Sequence, residues 1–122
     1  MYILNVSDSF SAAHRLCGYE GACQNLHGHN WKVRLEVSCQ KLDKIGLAMD
    51  FGILKRMLGS VLAEFDHSLL NDHPAFKAQN PSSENLARYI YEQISAQLED
   101  SDAKVAAVEV AESEKSALVY RP

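Results

Sequence analysis

The stretch ACQNLHGHNW, residues 22–31, holds one cysteine and two histidines: Cys23, His27 and His29. Neutral imidazole and thiolate are preferred zinc ligands, and a thiolate left free of metal can act directly on a substrate. Two histidines do not complete a zinc site, which takes at least three protein ligands. The chain offers three more, His14, His67 and His73. Which of them joins the pair depends on the elements that carry them.

Between residues 2 and 14, Tyr2, Leu4, Val6, Phe10, Ala12 and His14 share one parity, with Asp8 the single polar break. Asn5, Ser7, Ser9 and Ser11 take the other parity. That period of two predicts a half-buried strand. From residue 27 the pattern repeats: His27, His29, Trp31, Val33, Leu35, Val37 and Cys39 alternate with Asn30, Lys32, Arg34, Glu36 and Ser38. Strand side chains repeat every two residues, so both histidines point to the apolar face, roughly 7 Å apart at the backbone. Gly28 between them leaves room for a neighbouring chain or a ligand. Antiparallel pairing across the glycine-containing loop LCGYEGACQNL brings His14 opposite the start of the second strand, as the third ligand. Three imidazoles with an open fourth position describe a catalytic zinc; Cys23 as a fourth ligand would close a structural one. Spacing alone leaves both open.

A change of period follows. Phe51, Leu54, Leu58, Val61, Leu62 and Phe65 recur at helical spacing after Asp50, a suitable N-cap. DHSLLNDHPAFKAQNPSS reads as a polar connection, and Leu86, Ile90, Ile94 and Leu98 mark a second helix. KVAAVEVAE and ALVYR read as two strands joined by the polar turn SEKS, with Glu112 on the face of Ala106, Val108 and Val110. The expected order is ββααββ, an α+β fold with an antiparallel sheet.

The 122 residues match one domain, 1–122, and a hydrophobic fraction of 47% can build a core without metal or disulfides. A net charge of −4 with no run of Lys or Arg argues against nucleic acid or an anionic membrane as partner. Three cysteines without a CxxC pair suit a reducing compartment. No apolar stretch approaches membrane-spanning length and the N-terminus has no secretory pattern, so the expectation is a cytoplasmic protein.

Six segments in order, FSAAHRL (10–16), CQNLHGHN (23–30), MDFGILK (49–55), DHSLLN (66–71), NPSSENLA (80–87) and VAESEKSALVY (110–120), resemble the 6-pyruvoyltetrahydropterin synthase superfamily. The three-residue gap between Cys23 and His27 is similar to that of its 6-carboxytetrahydropterin synthases, which act in queuosine biosynthesis. The resemblance implies the T-fold, a four-stranded antiparallel sheet with two helices on one face. It also implies that three subunits form a twelve-stranded barrel, that two trimers stack into a hexamer, and that active sites lie between subunits. By the same resemblance, His14, His27 and His29 hold Zn2+, while Cys23, Asp66 and His67 are catalytic. Glu112 anchors a pterin, with Ser83 and Glu84 near its ring. The implied reaction converts 7,8-dihydroneopterin triphosphate to 6-carboxy-5,6,7,8-tetrahydropterin, releasing acetaldehyde and triphosphate. The alternatives are a pyruvoyl-type synthase and a non-catalytic zinc- or pterin-binding domain.

These residue types suit that chemistry. Removing protons from carbons beside hydroxyls calls for a Lewis acid that stabilises the developing oxyanion. A thiol with an ordinary pKa is only about 3% thiolate at pH 7, so full ionisation gains at most about 30-fold, or roughly 2 kcal/mol. The metal therefore carries most of the electronic demand. His67 beside Asp66 can shuttle protons near neutral pH. Each has a plainer role too: a histidine closing a helix, SSE at 82–84 opening one, Glu112 as a solvated strand end.

Overall fold

The computed structural model describes residues 1–18 and 24–122. Five strands and two helices run in the order β1 (Tyr2–His14), β2 (His27–Cys39), α1 (Phe51–Leu62), β3 (Ser68–Leu69), α2 (Ser83–Gln97), β4 (Lys104–Ser113) and β5 (Ser116–Tyr120). Short 3-10 turns at Leu70–Asp72 and Pro74–Phe76 join β3 to α2.

β1 and β2 occupy the lengths that alternation predicts. Their antiparallel register is unbroken from Tyr2 opposite Cys39 to His14 opposite His27, so the apolar rows of both strands share one face. The sheet order is β3-β1-β2-β4-β5. The expected four antiparallel strands are present, and β3 adds a fifth, parallel to β1 through Ala12–Ser68 and Ala13–Leu69. Two residues carry no readable period, so only backbone pairing in three dimensions makes this segment a strand.

Asp50 caps α1, its carboxylate accepting from the Gly52 N–H at 2.7 Å. Leu54, Leu58, Val61 and Leu62 are buried, and so is Phe65 just past the helix. Phe51, which the sequence places on the same stripe, is 54% exposed. A first-turn side chain leans toward the helix N-terminus, away from the core under the later turns. The Ser82 hydroxyl caps α2 by accepting from the Asn85 N–H at 3.2 Å, and Leu86, Ile90, Ile94 and Leu98 are buried as expected. Both helices cover the sheet face that carries Phe10, Trp31, Val33, Leu35 and Val108. The other face keeps Ser7, Ser9, Lys32 and Arg34 exposed, the usual division of an antiparallel sheet.

Two departures matter for the site. β4 pairs Ala107 with Glu36 but Val105 with Val37, so Ala106 is the extra residue of a bulge. Val105, not Ala106, therefore shares the core face with Val108 and Val110, because a bulge resets the alternation. A second irregularity against β5, between Ala111 and Ser113, leaves Glu112 as the bulged residue. The 66–82 connection is also less polar than it reads, since Leu70 and Phe76 are buried and anchor it. Among the described residues no helix is long and apolar enough to cross a membrane.

Candidate functional site

The unbroken β1–β2 register places His14 directly opposite His27, with His29 two residues further along the same face. His14 is 1% exposed. Its Nδ1 lies 2.8 Å from the carbonyl oxygen of Pro81, in the segment that leads into α2. A carbonyl can only accept, so this bond puts the His14 proton on Nδ1 and frees the Nε2 lone pair. The same logic holds for the more exposed His27, whose Nδ1 lies 2.9 Å from the carbonyl oxygen of Asn25. The two Nε2 atoms then face each other at 3.0 Å. Two neutral imidazoles so oriented present lone pair to lone pair, which only a shared cation relieves. His29 supplies the third group: its Nε2 is buried and, among the described residues, has no hydrogen-bond partner. One ligand atom from each ring lies within 4.8 Å of the others.

The donor set therefore fits a metal ion. Three imidazole nitrogens converge, two of them aligned by carbonyls that fix the tautomer, as outer partners do in metal sites. Trp31 supports the cluster from the core, its ring 4.9 Å from that of His14 and 5.1 Å from that of His29. Its indole N–H donates to the Ala12 carbonyl at 3.1 Å, locking the ring against β1. Burial holds the His29 pKa below the usual histidine value; Glu112 raises it, and His14 and His27 lower it further. The net effect favours the neutral, metal-ligating form.

Glu112 sits at the rim of the cluster. One carboxylate oxygen lies 3.7 Å from His29 Nε2, and the other accepts the Ser83 hydroxyl at 2.8 Å. The bulge at Glu112 and the buried first turn of α2 thus bring together two residues 29 positions apart. Glu84, the next residue of that turn, is exposed where negative charge is favourable, at a helix N-terminus. An open groove of about 540 Å³ borders the cluster, with Gly28, His29, Lys32 and Glu112 among its walls. Ser9, Asn30 and Lys32, which also line it, belong to the sheet face opposite the histidines, so the groove lies on that face and meets the cluster at His29 and Glu112.

Asp66 and His67 stand elsewhere. Asp66 Oδ1 accepts from the Ser11 N–H at 2.9 Å, and the His67 N–H donates to the Ser11 carbonyl. Both residues are thereby tied to the outer edge of β1. Asp66 Oδ2 lies 3.0 Å from His67 Nδ1, and the His67 side chain is 83% exposed. The Ser11 N–H, more than the adjacent His67, holds the Asp66 pKa below its ordinary value. Among the described residues no hydrogen bond or ion pair joins either residue to the histidine cluster. Cys23 lies outside the described residues.

Sequence reading missed the groups that hold this frame. Asn71 exchanges two hydrogen bonds with the backbone of Arg15, at 3.0 and 2.9 Å. Asn80 does the same with Cys17, at 2.8 Å for both bonds. These side-chain amides act as surrogate strand neighbours, carrying β1 beyond His14. The only signal was their place at the end of DHSLLN and the start of NPSSENLA.

The chain matches the family model described as 6-pyruvoyl tetrahydropterin synthase over residues 3–122. It is 36% identical over 126 residues to the 6-carboxy-5,6,7,8-tetrahydropterin synthase of Bacillus subtilis, covering 98% of this chain and 84% of that one. The enzyme of the same name from Synechocystis is also 36% identical over 126 residues, covering 98% and 93%. Among solved structures, the 6-pyruvoyl tetrahydropterin synthase of Caenorhabditis elegans superposes with a TM-score of 0.85 at 29% identity, covering 99% and 95%. Motifs, sheet order and near-complete coverage agree: the chain belongs to the 6-pyruvoyl tetrahydropterin synthase family.

Proposed function

We propose that this chain is a zinc-dependent 6-carboxy-5,6,7,8-tetrahydropterin synthase of queuosine biosynthesis. It converts 7,8-dihydroneopterin triphosphate to 6-carboxytetrahydropterin and releases acetaldehyde and triphosphate. The observation that carries this reading is the meeting of three imidazoles with the Glu112–Ser83 pair, where His29 and Glu112 reach an open groove. Relatives that bear the carboxy name and cover nearly the whole chain support it.

In this reading His14, His27 and His29 hold zinc, which, when bound, stabilises negative charge on the side-chain oxygens of the substrate. Glu112 receives the paired N–H groups of the pterin edge, a charge-assisted bidentate match. Ser83 fixes the carboxylate by its bond to one oxygen, and Glu84 borders the ring. Cys23 acts as the base. Asp66, kept ionised by the Ser11 N–H, accepts from His67 Nδ1 and leaves His67 Nε2 to move protons.

The edge position of Asp66 and His67 supports their serving the site of a neighbouring subunit. Among the described residues the sheet is open where such a neighbour would pair: β3 covers only Ala12 and Ala13 of β1, and β5 forms the other edge. Tyr2, Ile3 and Val119 on these two strands are about half exposed. Edge-to-edge pairing would close a barrel and cover them, in keeping with a hexamer of two stacked trimers. The net charge of −4 fits a small-molecule partner rather than nucleic acid, and a cytoplasmic setting suits the chemistry.

The deciding experiment is a product assay on zinc-loaded protein given dihydroneopterin triphosphate. Acetaldehyde and a 6-carboxy product are expected. A pyruvoyl product without acetaldehyde would transfer the assignment to the pyruvoyl-type synthase, the reading favoured by the likeness to the C. elegans enzyme. No turnover with zinc at one per subunit would sink both in favour of a binding domain.

A further inference from the structure

We propose that Glu64, His73 and Tyr89 form a positioning device for His67: a latch that closes the base of the 64–73 segment and rivets it to α2. This rests on the reading of Asp66 and His67 as the proton-transfer pair. Glu64 and His73 bracket that pair, nine residues apart. One Glu64 carboxylate oxygen receives two donors, His73 Nε2 at 2.8 Å and the Tyr89 hydroxyl at 2.7 Å. The direction of the first bond is fixed by the other ring nitrogen. His73 Nδ1 accepts from the Ala75 N–H at 3.1 Å, so the proton sits on Nε2 and points at Glu64. Burial, with the Glu64 carboxylate adding to it, pushes the Tyr89 phenol well above its usual range, so it remains a donor.

The latch is not part of the metal cluster or its groove. The His73 side chain is 14% exposed and packs against Phe65, Phe76 and Tyr89 at ring distances of 5.0, 5.8 and 5.3 Å. An apolar ring in place of His73 would fill this space with fewer polar atoms to satisfy. Burying polar groups there carries a desolvation cost, and what it yields is a single geometry, since only one arrangement satisfies both donors.

His67 needs such a hold. Its backbone is left-handed, with φ of 58°, a conformation that persists only where the surroundings enforce it. Its side chain is largely in solvent, with Asp66 as its one ion-pair partner among the described residues. The orientation of the imidazole therefore depends on how firmly the segment is held at its two ends. The tip is held by Ser11. The base is held by Glu64 and His73, with Tyr89 fastening it to a second helix.

The test uses His73→Phe, which keeps a ring in the aromatic cluster and removes both hydrogen bonds. In the zinc-loaded enzyme kcat is expected to fall about 10-fold, a fraction of the 10²–10⁴ that a proton-transfer residue supplies. KM and zinc content should stay within about twofold. In a His67→Ala background the same change should cost nothing further, because the latch acts only through His67. Tyr89→Phe removes one bond and leaves the segment closed, so a smaller loss is expected, and it stands in if His73→Phe fails to fold. An equal loss with and without His67, or no loss in a folded variant, overturns the proposal. A readout independent of turnover is the His67 imidazole NMR signal, which should shift in His73→Phe and Tyr89→Phe while the signals of His27 and His29 stay in place. An unmoved His67 signal overturns the latch, whereas absent turnover in the wild type with a moved signal overturns only the assigned reaction.

Discussion

Glu112 shows how a residue acquires neighbours that the local sequence does not announce. It reads as the polar end of a strand, yet a bulge turns it toward the first turn of α2 and to within 3.7 Å of His29. Glu112→Ala should raise KM for the pterin about 10- to 100-fold, the loss of hydrogen bonds to a charged group, while zinc content is unchanged. His29→Ala should instead abolish stoichiometric zinc, measured per subunit by metal analysis, and with it more than about 10³-fold in kcat/KM. The pH behaviour follows from the same ligands. Zinc needs neutral imidazole, and His29 is held below the ordinary histidine value by burial. Zinc should therefore be retained at neutral pH and shed in acid, below the ordinary histidine range, where protons compete. Asp66 gives a separate acid signature. Its folded pKa is lowered from 3.8, so its stabilisation is present above that value and is lost as pH falls through the folded pKa. Urea midpoints of the wild type and Asp66→Asn should differ at neutral pH and converge in strong acid.

At the level of elements, β1 and β2 were legible because one face is buried and the other wet, which writes a period of two into both strands. Parity within each strand set His14 on the apolar row of β1 and His27 and His29 on that of β2, and burial of both rows puts the three on one face. The β4 bulges were not legible, since one extra residue leaves no mark in a short apolar run such as VAAVEV. β3 was not legible either, being two residues of backbone pairing. The start of α2 was: Ser82 reads as an N-cap and is one. Ser82→Ala should cost about 1 kcal/mol, seen as a lower denaturant midpoint with an unchanged slope. Gly28 calls for a different expectation. Among the described residues a Cβ there would meet only the Ala12 carbonyl oxygen, at an ordinary 3.7 Å, and the residue lines the groove. Gly28→Ala should thus leave stability within about 0.5 kcal/mol and act, if at all, on substrate binding. A large loss of stability would show that the glycine serves the fold of the chain itself.

For the whole molecule, the unresolved contrast is between a cluster that is assembled within one chain and an Asp66–His67 pair that stands apart from it at the sheet edge. The proposed assembly through the β1 and β5 edges would reconcile the two. Light scattering of an active preparation should give six subunits of 13.6 kDa each. Ile3→Lys, a charge on a half-exposed edge residue, should shift the mass downward and lower activity in parallel. Full activity in a monomer would remove the intersubunit site.

By itself, the sequence determined the two long strands, both helices, the shared face of the three histidines and, through its motifs, the family. Those features are written in local periodicity and spacing, which burial on one face imposes on every residue in turn. The tertiary structure alone decided which carbonyls orient His14 and His27, that Glu112 meets Ser83 and His29, and that Asp66 and His67 are fastened to the edge of β1. Apart from the local bond of His27 to the Asn25 carbonyl, each of these joins residues far apart in the chain through backbone groups, bulges or a single left-handed residue. Such contacts depend on where elements come to rest against one another, and no local pattern of residue types records that.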